Sequence, residues 1–179
     1  TNLVSGDTNG LQDIFVRDRQ ASTTQRVNLT SAGGQATGGT SSNPALSADA
    51  RYVAFLSLAT NLVVGDTNAA MDVFVHDRQT GETTRVSVAT DGTQGNAYSG
   101  GNFCLSADGR YVMFSSDATN LVEGDTNASR DVFVRDRLMG TTSRVSVDSG
   151  GVQADGSSTD SSTTADGRYV AFSSGATNL

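Results

Sequence analysis

Gly65-Asp66-Thr67-Asn68-Ala69-Ala70-Met71-Asp72-Val73-Phe74-Val75-His76-Asp77-Arg78 decides how this chain is read, because the same polar spacing returns at Gly6 to Arg19 and at Gly124 to Arg137. A fixed period makes each repeat one structural unit, whose contacts must serve every copy. Thr1-Asn2-Leu3-Val4 recurs at Thr60 and at Thr119, a shift of 59 residues each time, and Thr177-Asn178-Leu179 opens a fourth copy 58 residues later.

Helical periodicity is absent, while short apolar runs bounded by Gly, Asp, Asn, Ser and Thr appear at regular spacing, which predicts an all-β protein. Four strands are predicted in the second repeat: Asn43 to Ser47, Tyr52 to Ser57, Asp72 to Asp77 and Thr84 to Val88. The first two are joined by Ser47-Ala48-Asp49-Ala50-Arg51, which becomes Ser106-Ala107-Asp108-Gly109-Arg110 and Thr164-Ala165-Asp166-Gly167-Arg168. Its Asp-Gly pair predicts a type I′ hairpin with positive φ at both central residues, and Ala50 in place of glycine predicts strain. Tyr52-Val53-Ala54-Phe55 and Val73-Phe74-Val75 are almost continuously apolar, as strands covered on both faces are. Arg85-Val86-Ser87-Val88 alternates instead, which predicts an outer strand with one wet face.

A four-stranded antiparallel sheet packed between two like it is the blade of a β-propeller. A β-helix would need a far shorter repeat, and a sandwich would not repeat a unit this long. Residues 13–29 supply a half blade, 43–88 and 102–147 two complete blades, and 158–174 a second half blade. Three blades' worth of strands is fewer than the 4 to 8 that close a propeller. A twofold homodimer is therefore expected, six-bladed, with the half blades of the two chains paired so that no strand edge stays open.

Ser106-Ala107-Asp108-Gly109-Arg110-Tyr111-Val112-Met113-Phe114-Ser115-Ser116, followed by Asp131-Val132-Phe133-Val134-Arg135-Asp136-Arg137, resembles the TolB-like group of β-propeller repeats. In that group a Ser-x-Asp-Gly-Arg turn precedes an apolar strand and an Asp-aliphatic-aromatic strand follows. The resemblance runs over essentially the whole chain in three copies and implies the propeller fold. Such propellers serve as scaffolds, periplasmic partners and accessory domains of peptidases, so it does not select one activity. The chain departs from the shorter pattern by an insertion, Ala59 to Asn68, where its distinctive chemistry is expected.

Net charge is −7, and all twelve basic residues are arginine. That sign repels phosphate backbones, so nucleic acid is not an expected partner. No apolar run approaches the ~20 residues that span a bilayer, so no membrane role is expected. An acidic surface without lysine fits an extracellular or salt-exposed setting, and compositional drift in the source genome accounts for it equally; the location expected is extracellular or periplasmic. No signal-peptide pattern is present in this chain. The single cysteine, Cys104, replaces Ala45 of the previous repeat and predicts a small buried filler.

The insertion carries the candidate ion site. Asp66 and Asn68 with Asp72, and their counterparts Asp7, Asn9, Asp13 and Asp125, Asn127, Asp131, place two carboxylates and an amide within seven residues. Calcium takes oxygen ligands from such short acidic loops. The same residues could equally make turn hydrogen bonds. His76 beside Asp77 suggests a general base until the repeat is consulted: arginine fills that slot in the other copies, so a solvent-facing or aspartate-paired side chain is expected and catalysis is not. Gln35, Gln94 and Gln153, with Tyr98, lie in polar glycine-rich loops that form the expected ligand face. Asn28-Leu29-Thr30 and Asn127-Ala128-Ser129 match the glycosylation pattern. The reading is a non-enzymatic binding or scaffolding propeller, calcium-stabilised, for an unidentified protein or glycan. The alternatives are an accessory propeller of a hydrolase whose catalytic domain is absent from this chain, and a carbohydrate-binding propeller.

Overall fold

The apolar runs become twelve strands in a computed structural model, which describes residues 3–179. They are β1 (Phe15–Asp18), β2 (Thr23–Arg26), β3 (Ser41–Leu46), β4 (Tyr52–Ser57), β5 (Asp72–Asp77), β6 (Thr83–Arg85), β7 (Ser99–Leu105), β8 (Tyr111–Ser116), β9 (Asp131–Asp136), β10 (Thr141–Arg144), β11 (Ser158–Thr163) and β12 (Val170–Ser174). Each sheet is an antiparallel meander: β1-β2, β3-β4-β5-β6, β7-β8-β9-β10 and β11-β12. The chain is thus all-β, built of four-stranded propeller blades with half a blade at each end.

Why the two middle strands of a blade lack polar alternation is plain from their packing. Val53, Phe55 and Phe74 face the β1-β2 sheet, in one core with Ile14, Val16 and Val27. Ala54, Leu56, Val73 and Val75 face the next blade, in a second core with Val112, Phe114 and Phe133. Phe55 stacks on Phe74, and Phe114 on Phe133, each with ring centroids 5.9 Å apart. Both faces of a strand are dry because a blade has a neighbour on each side.

Three expectations need correction. The turn between first and second strands is not type I′: Ala50 N bonds to Ser47 O, and only the last turn residue has positive φ (Ala50 57°, Gly109 69°, Gly167 73°). That is a type I turn closed by one left-handed residue. The first strand starts earlier than Asn43 and carries a bulge, with Asn43, Gly101 and Asp160 left-handed at the same repeat position. The fourth strand keeps a wet face in β2 and β10, where exposed and covered residues alternate, but the stretch Arg85 to Val88 on which it was predicted has none. β6 ends at Arg85, and Arg85, Val86, Ser87 and Val88 are all covered, because their polar side chains turn onto buried carboxylates.

Blades are also joined through their turns. Ala48 N donates to Ala107 O at 2.8 Å, and Ala107 N to Ala165 O at 2.7 Å. Tyr52 lies so close to the next turn that a Cβ on Gly109 would sit 2.4 Å from its ring, and Tyr111 stands likewise at 2.3 Å from a Cβ on Gly167. Gly109→Ala therefore combines left-handed strain with overpacking and should lower unfolding stability by about 2 kcal/mol or more, read from urea denaturation.

Candidate functional site

Each insertion closes onto its blade around a guanidinium. Asp72, fully buried, opens β5, while Asp66 sits six residues earlier in the loop. Arg85 at the end of β6 reaches between them, with Nη1 3.2 Å from Asp66 and 3.2 Å from Asp72, and Nη2 3.2 Å from Gly65 O. The arrangement is repeated. Arg144 lies 3.3 and 3.1 Å from Asp125 and Asp131, and Arg26 lies 3.2 and 3.5 Å from Asp7 and Asp13. Ser87 and Ser146 donate to the inner oxygens of Asp72 and Asp131 at 2.6 Å.

The structure brings the predicted ligand set together, yet the residues as arranged do not fit a calcium ion. The guanidinium fills the space between the carboxylates. The amides face the wrong way for a cation: Asn68 Oδ1 accepts from Ala70 N, while its Nδ2 donates to Asp72 and to Gly95 O. A carbonyl on one side and an N–H on the other fix that orientation. Asn9 and Asn127 are held the same way, on Leu11 N and Ala36 O and on Ser129 N and Ala154 O. Among the described residues no three acidic, histidine or cysteine side chains converge as a metal site would need.

The glutamines of the expected ligand face are the other wall of this cluster. Gln94 accepts from Thr67 N and donates to Asp66 at 2.9 Å. Gln35 accepts from Thr8 N and from Arg26, and Gln153 accepts from Thr126 N. Their backbone carbonyls accept from Asn61, Asn120 and Asn178, each at 2.8 Å, so each glutamine loop ties one insertion to the next. Insertions and glutamine loops do share one face, but these side chains are spent internally. Tyr98 is occupied too: its hydroxyl accepts from Gly101 N, and Arg130 lies 5.0 Å over its ring.

Electrostatics differ between the two carboxylate classes. Burial pushes the Asp66 carboxyl up, opposed by Arg85 and reinforced by Asp72; burial, then Asp131, raises Asp125 against Arg144. The aspartate ending the third strand goes the other way. Arg110 sets Nε and Nη2 2.9 and 2.6 Å from Asp136 and holds it at about 2, and Arg51 does the same to Asp77, well below the usual carboxylate range. This bidentate pair escaped the sequence reading, although the 26-residue spacing from Arg51 to Asp77 and from Arg110 to Asp136 was there to find it.

His76 is neither solvent-facing nor aspartate-paired. It is buried, with Nδ1 2.9 Å from Thr83 Oγ1, and burial lowers its pKa; Asp77 is engaged by Arg51. Arg135 and Arg17 make the equivalent bond to Thr142 and Thr24, so the slot joins third strand to fourth. Cys104 is a half-buried free thiol whose pKa burial raises. Asn28 is wholly buried against Asp13 and Ile14 N, which no glycosylated residue could be.

Face-to-face four-stranded antiparallel blades linked turn to turn define a β-propeller segment. No known family pattern and no curated protein sequence matches the chain. Among solved structures it is similar to TolB from Acinetobacter baumannii (TM-score 0.49, 18% identity, 89% of this chain and 31% of that one). The putative TolB from Agrobacterium tumefaciens is similar at TM-score 0.48 and 15% identity, over 90% of this chain and 50% of that one. Kuenenia stuttgartiensis hydrazine synthase follows at 0.41 and 16%, over 91% and 38%. The chain spans between about a third and a half of the length of these structures.

Two outcomes test the charge arrangement. Arg85→Met leaves Asp66 and Asp72 facing each other without a counter-charge and should cost about 3–5 kcal/mol at neutral pH. A carboxyl with raised folded pKa favours the folded state in acid and loses that advantage as pH rises, so the deficit should shrink as pH falls towards 4. Asp136 has the opposite sign. Its stabilisation is complete above the unfolded value of 3.8 and is lost as pH falls through about 2. Arg110→Met should therefore flatten the acid limb of stability against pH, measured by chemical denaturation between pH 5 and 2.

Proposed function

We propose that the chain is a non-catalytic β-propeller module that binds or scaffolds another molecule outside the cytoplasm, in an extracellular or periplasmic space. The observation that carries this reading is saturation. The polar groups that could do chemistry, His76, the paired aspartates and the loop glutamines, are engaged by partners of the same blade or its neighbour. A general base needs a free lone pair aimed at a substrate proton, whereas the paired aspartates face an arginine, the glutamines are bound to the insertion loops, and His76 is buried against Thr83. Acidic, lysine-free composition supports the extracytoplasmic setting.

Arg26, Arg85 and Arg144, rather than calcium, serve in this reading as the counter-charges of the insertion loops. The ligand, a protein or a glycan, meets the loop-rich face through what the repeat leaves over: Val64, fully exposed at the tip of an insertion, and Val152, 58% exposed in a glutamine loop. Exposed apolar side chains on a rigid loop face are what a binding surface offers.

Thermal unfolding in chelator and in millimolar calcium is expected to give the same melting temperature, since a ligand specific for the native state must raise it. A rise of several degrees in calcium would overturn the arginine assignment. A Val64→Glu/Val152→Glu variant should melt as the parent does and lose binding on a glycan array or in crosslinking to periplasmic proteins. Turnover of any ester, peptide or glycoside by the purified chain would end the non-catalytic reading.

A further inference from the structure

Where the two complete blades meet, the strand face that builds the core ends in cations. Phe133 of β9 packs in the second core, and residues two and four positions further on stand on the same side of the strand, so Arg135 and Arg137 face the blade before. Opposite them, Thr84 pairs with Val75 of that core and Val86 belongs to it, which turns both toward the two arginines. Glu82, Thr84, Arg85, Val86, Arg135 and Arg137 line a groove of about 260 Å³.

The charge in this groove is not balanced. Arg135 donates to Ala89 O and to Thr142 Oγ1, at 3.2 and 3.0 Å, and Arg137 donates to Gly109 O at 2.8 Å while lying 4.4 Å over the Tyr52 ring. These partners are neutral, and among the described residues neither guanidinium makes an ion pair. Burial pushes both below the ordinary arginine value, opposed at Arg135 by Asp136 and at Arg137 by Tyr52, Asp77 and Glu82. Arg51, Arg110 and Arg130, each bonded to a carboxylate, go up instead. Two half-buried cations with neutral partners carry a desolvation cost that an anion between them offsets.

The preceding junction shows the balanced form. His76 stands in the slot of Arg135, buried and bonded to Thr83, and Arg78 stands in that of Arg137. Gln25, in the slot of Thr84, accepts from Arg78 Nη2 at 2.9 Å. One fixed cation there meets a side chain that reaches it. Between the complete blades there are two cations, and the shorter Thr84 gives Arg137 no such acceptor.

We propose that the groove between the two complete blades binds a small oxyanion, whose oxygens accept from Arg135, Arg137 and the Thr84 hydroxyl. Its volume suits an inorganic oxyanion or a small organic acid rather than a drug-sized molecule. Planar guanidinia offer paired donors that match the oxygens of a carboxylate or a sulfate. Val86 supplies a dry wall, beside which charges attract more strongly than in water. Glu82, exposed at the mouth, and the net charge of −7 turn away a polyanionic chain while leaving room for a small ion. The groove opens beside the turn from third to fourth strand, away from the loop-rich face, so either site can fail without the other.

Titration of the purified protein with sulfate and with malonate, followed by amide NMR at an ionic strength held constant with chloride, tests this. The amide signals of Thr84, Arg135 and Arg137 should shift saturably with a dissociation constant in the millimolar range, while those of Gln25, His76 and Arg78 stay in place. Shifts with both ions assign a general oxyanion site, with malonate alone a carboxylate site, and with sulfate alone a site for tetrahedral oxyanions; each supports the proposal. Thr84→Gln and Arg135→His give this junction the residues of the one before it, so both variants should melt as the parent does, and each should weaken binding roughly fivefold or more. Glu82→Thr, the residue at Thr23 and Thr141 in the other copies, should tighten binding about twofold at low salt. No saturable shift with either ion, or saturable shifts that Thr84→Gln and Arg135→His both leave unchanged, would overturn the proposal.

Discussion

A guanidinium held between two carboxylates is the contact on which the rest of this structure depends. Asp72 opens β5 in complete burial, where an ionised carboxylate is costly unless charge and hydrogen bonds surround it. Arg85, Ser87 and Gln94 surround it, and each comes from a different segment: the fourth strand, its continuation, and the loop leading to the next blade. One buried charge thereby fixes the end of one blade, the seat of its insertion and the start of its neighbour. Because the planar fork of arginine can touch both aspartates and a backbone carbonyl at once, a single side chain does this.

What the clusters do on the loop face, the turns do on the opposite one. Successive turns are joined by a backbone bond and by a tyrosine lying on a glycine, while the apolar strands between are dry on both sides. Each blade therefore offers a donor in one direction and an acceptor in the other. Such contacts are head-to-tail, and a head-to-tail array either closes or keeps growing.

Much of the fold was legible because its determinants are local and repeated. The apolar runs at Tyr52 and Val73 named the strands, and the fixed period named the blade. The arginine within the candidate ion site was missed for a specific reason. Asp66, Asn68 and Asp72 lie within seven residues and invite a local explanation, whereas the group between them, Arg85, is 19 and 13 residues further on. The same arginine was read as the wet residue of an alternating strand, since alternation says that a side chain leaves the core but not what it meets. The partners of the glutamine loops were hidden in the same way: polar and glycine-rich, the loops resembled a ligand surface, and Asp66, to which Gln94 donates, lies 28 residues away in sequence.

The arginine clamps also set how the protein meets alkali. A lysine ammonium discharges near pH ~10.4, whereas a guanidinium keeps its proton beyond pH ~12. Every basic side chain here is arginine except the single histidine. The buried carboxylates Asp13, Asp72 and Asp131 therefore keep their counter-charges in carbonate and ammonia solutions that would neutralise a lysine in the same place. Tolerance of alkaline surroundings at the loop clamps comes with the stitching.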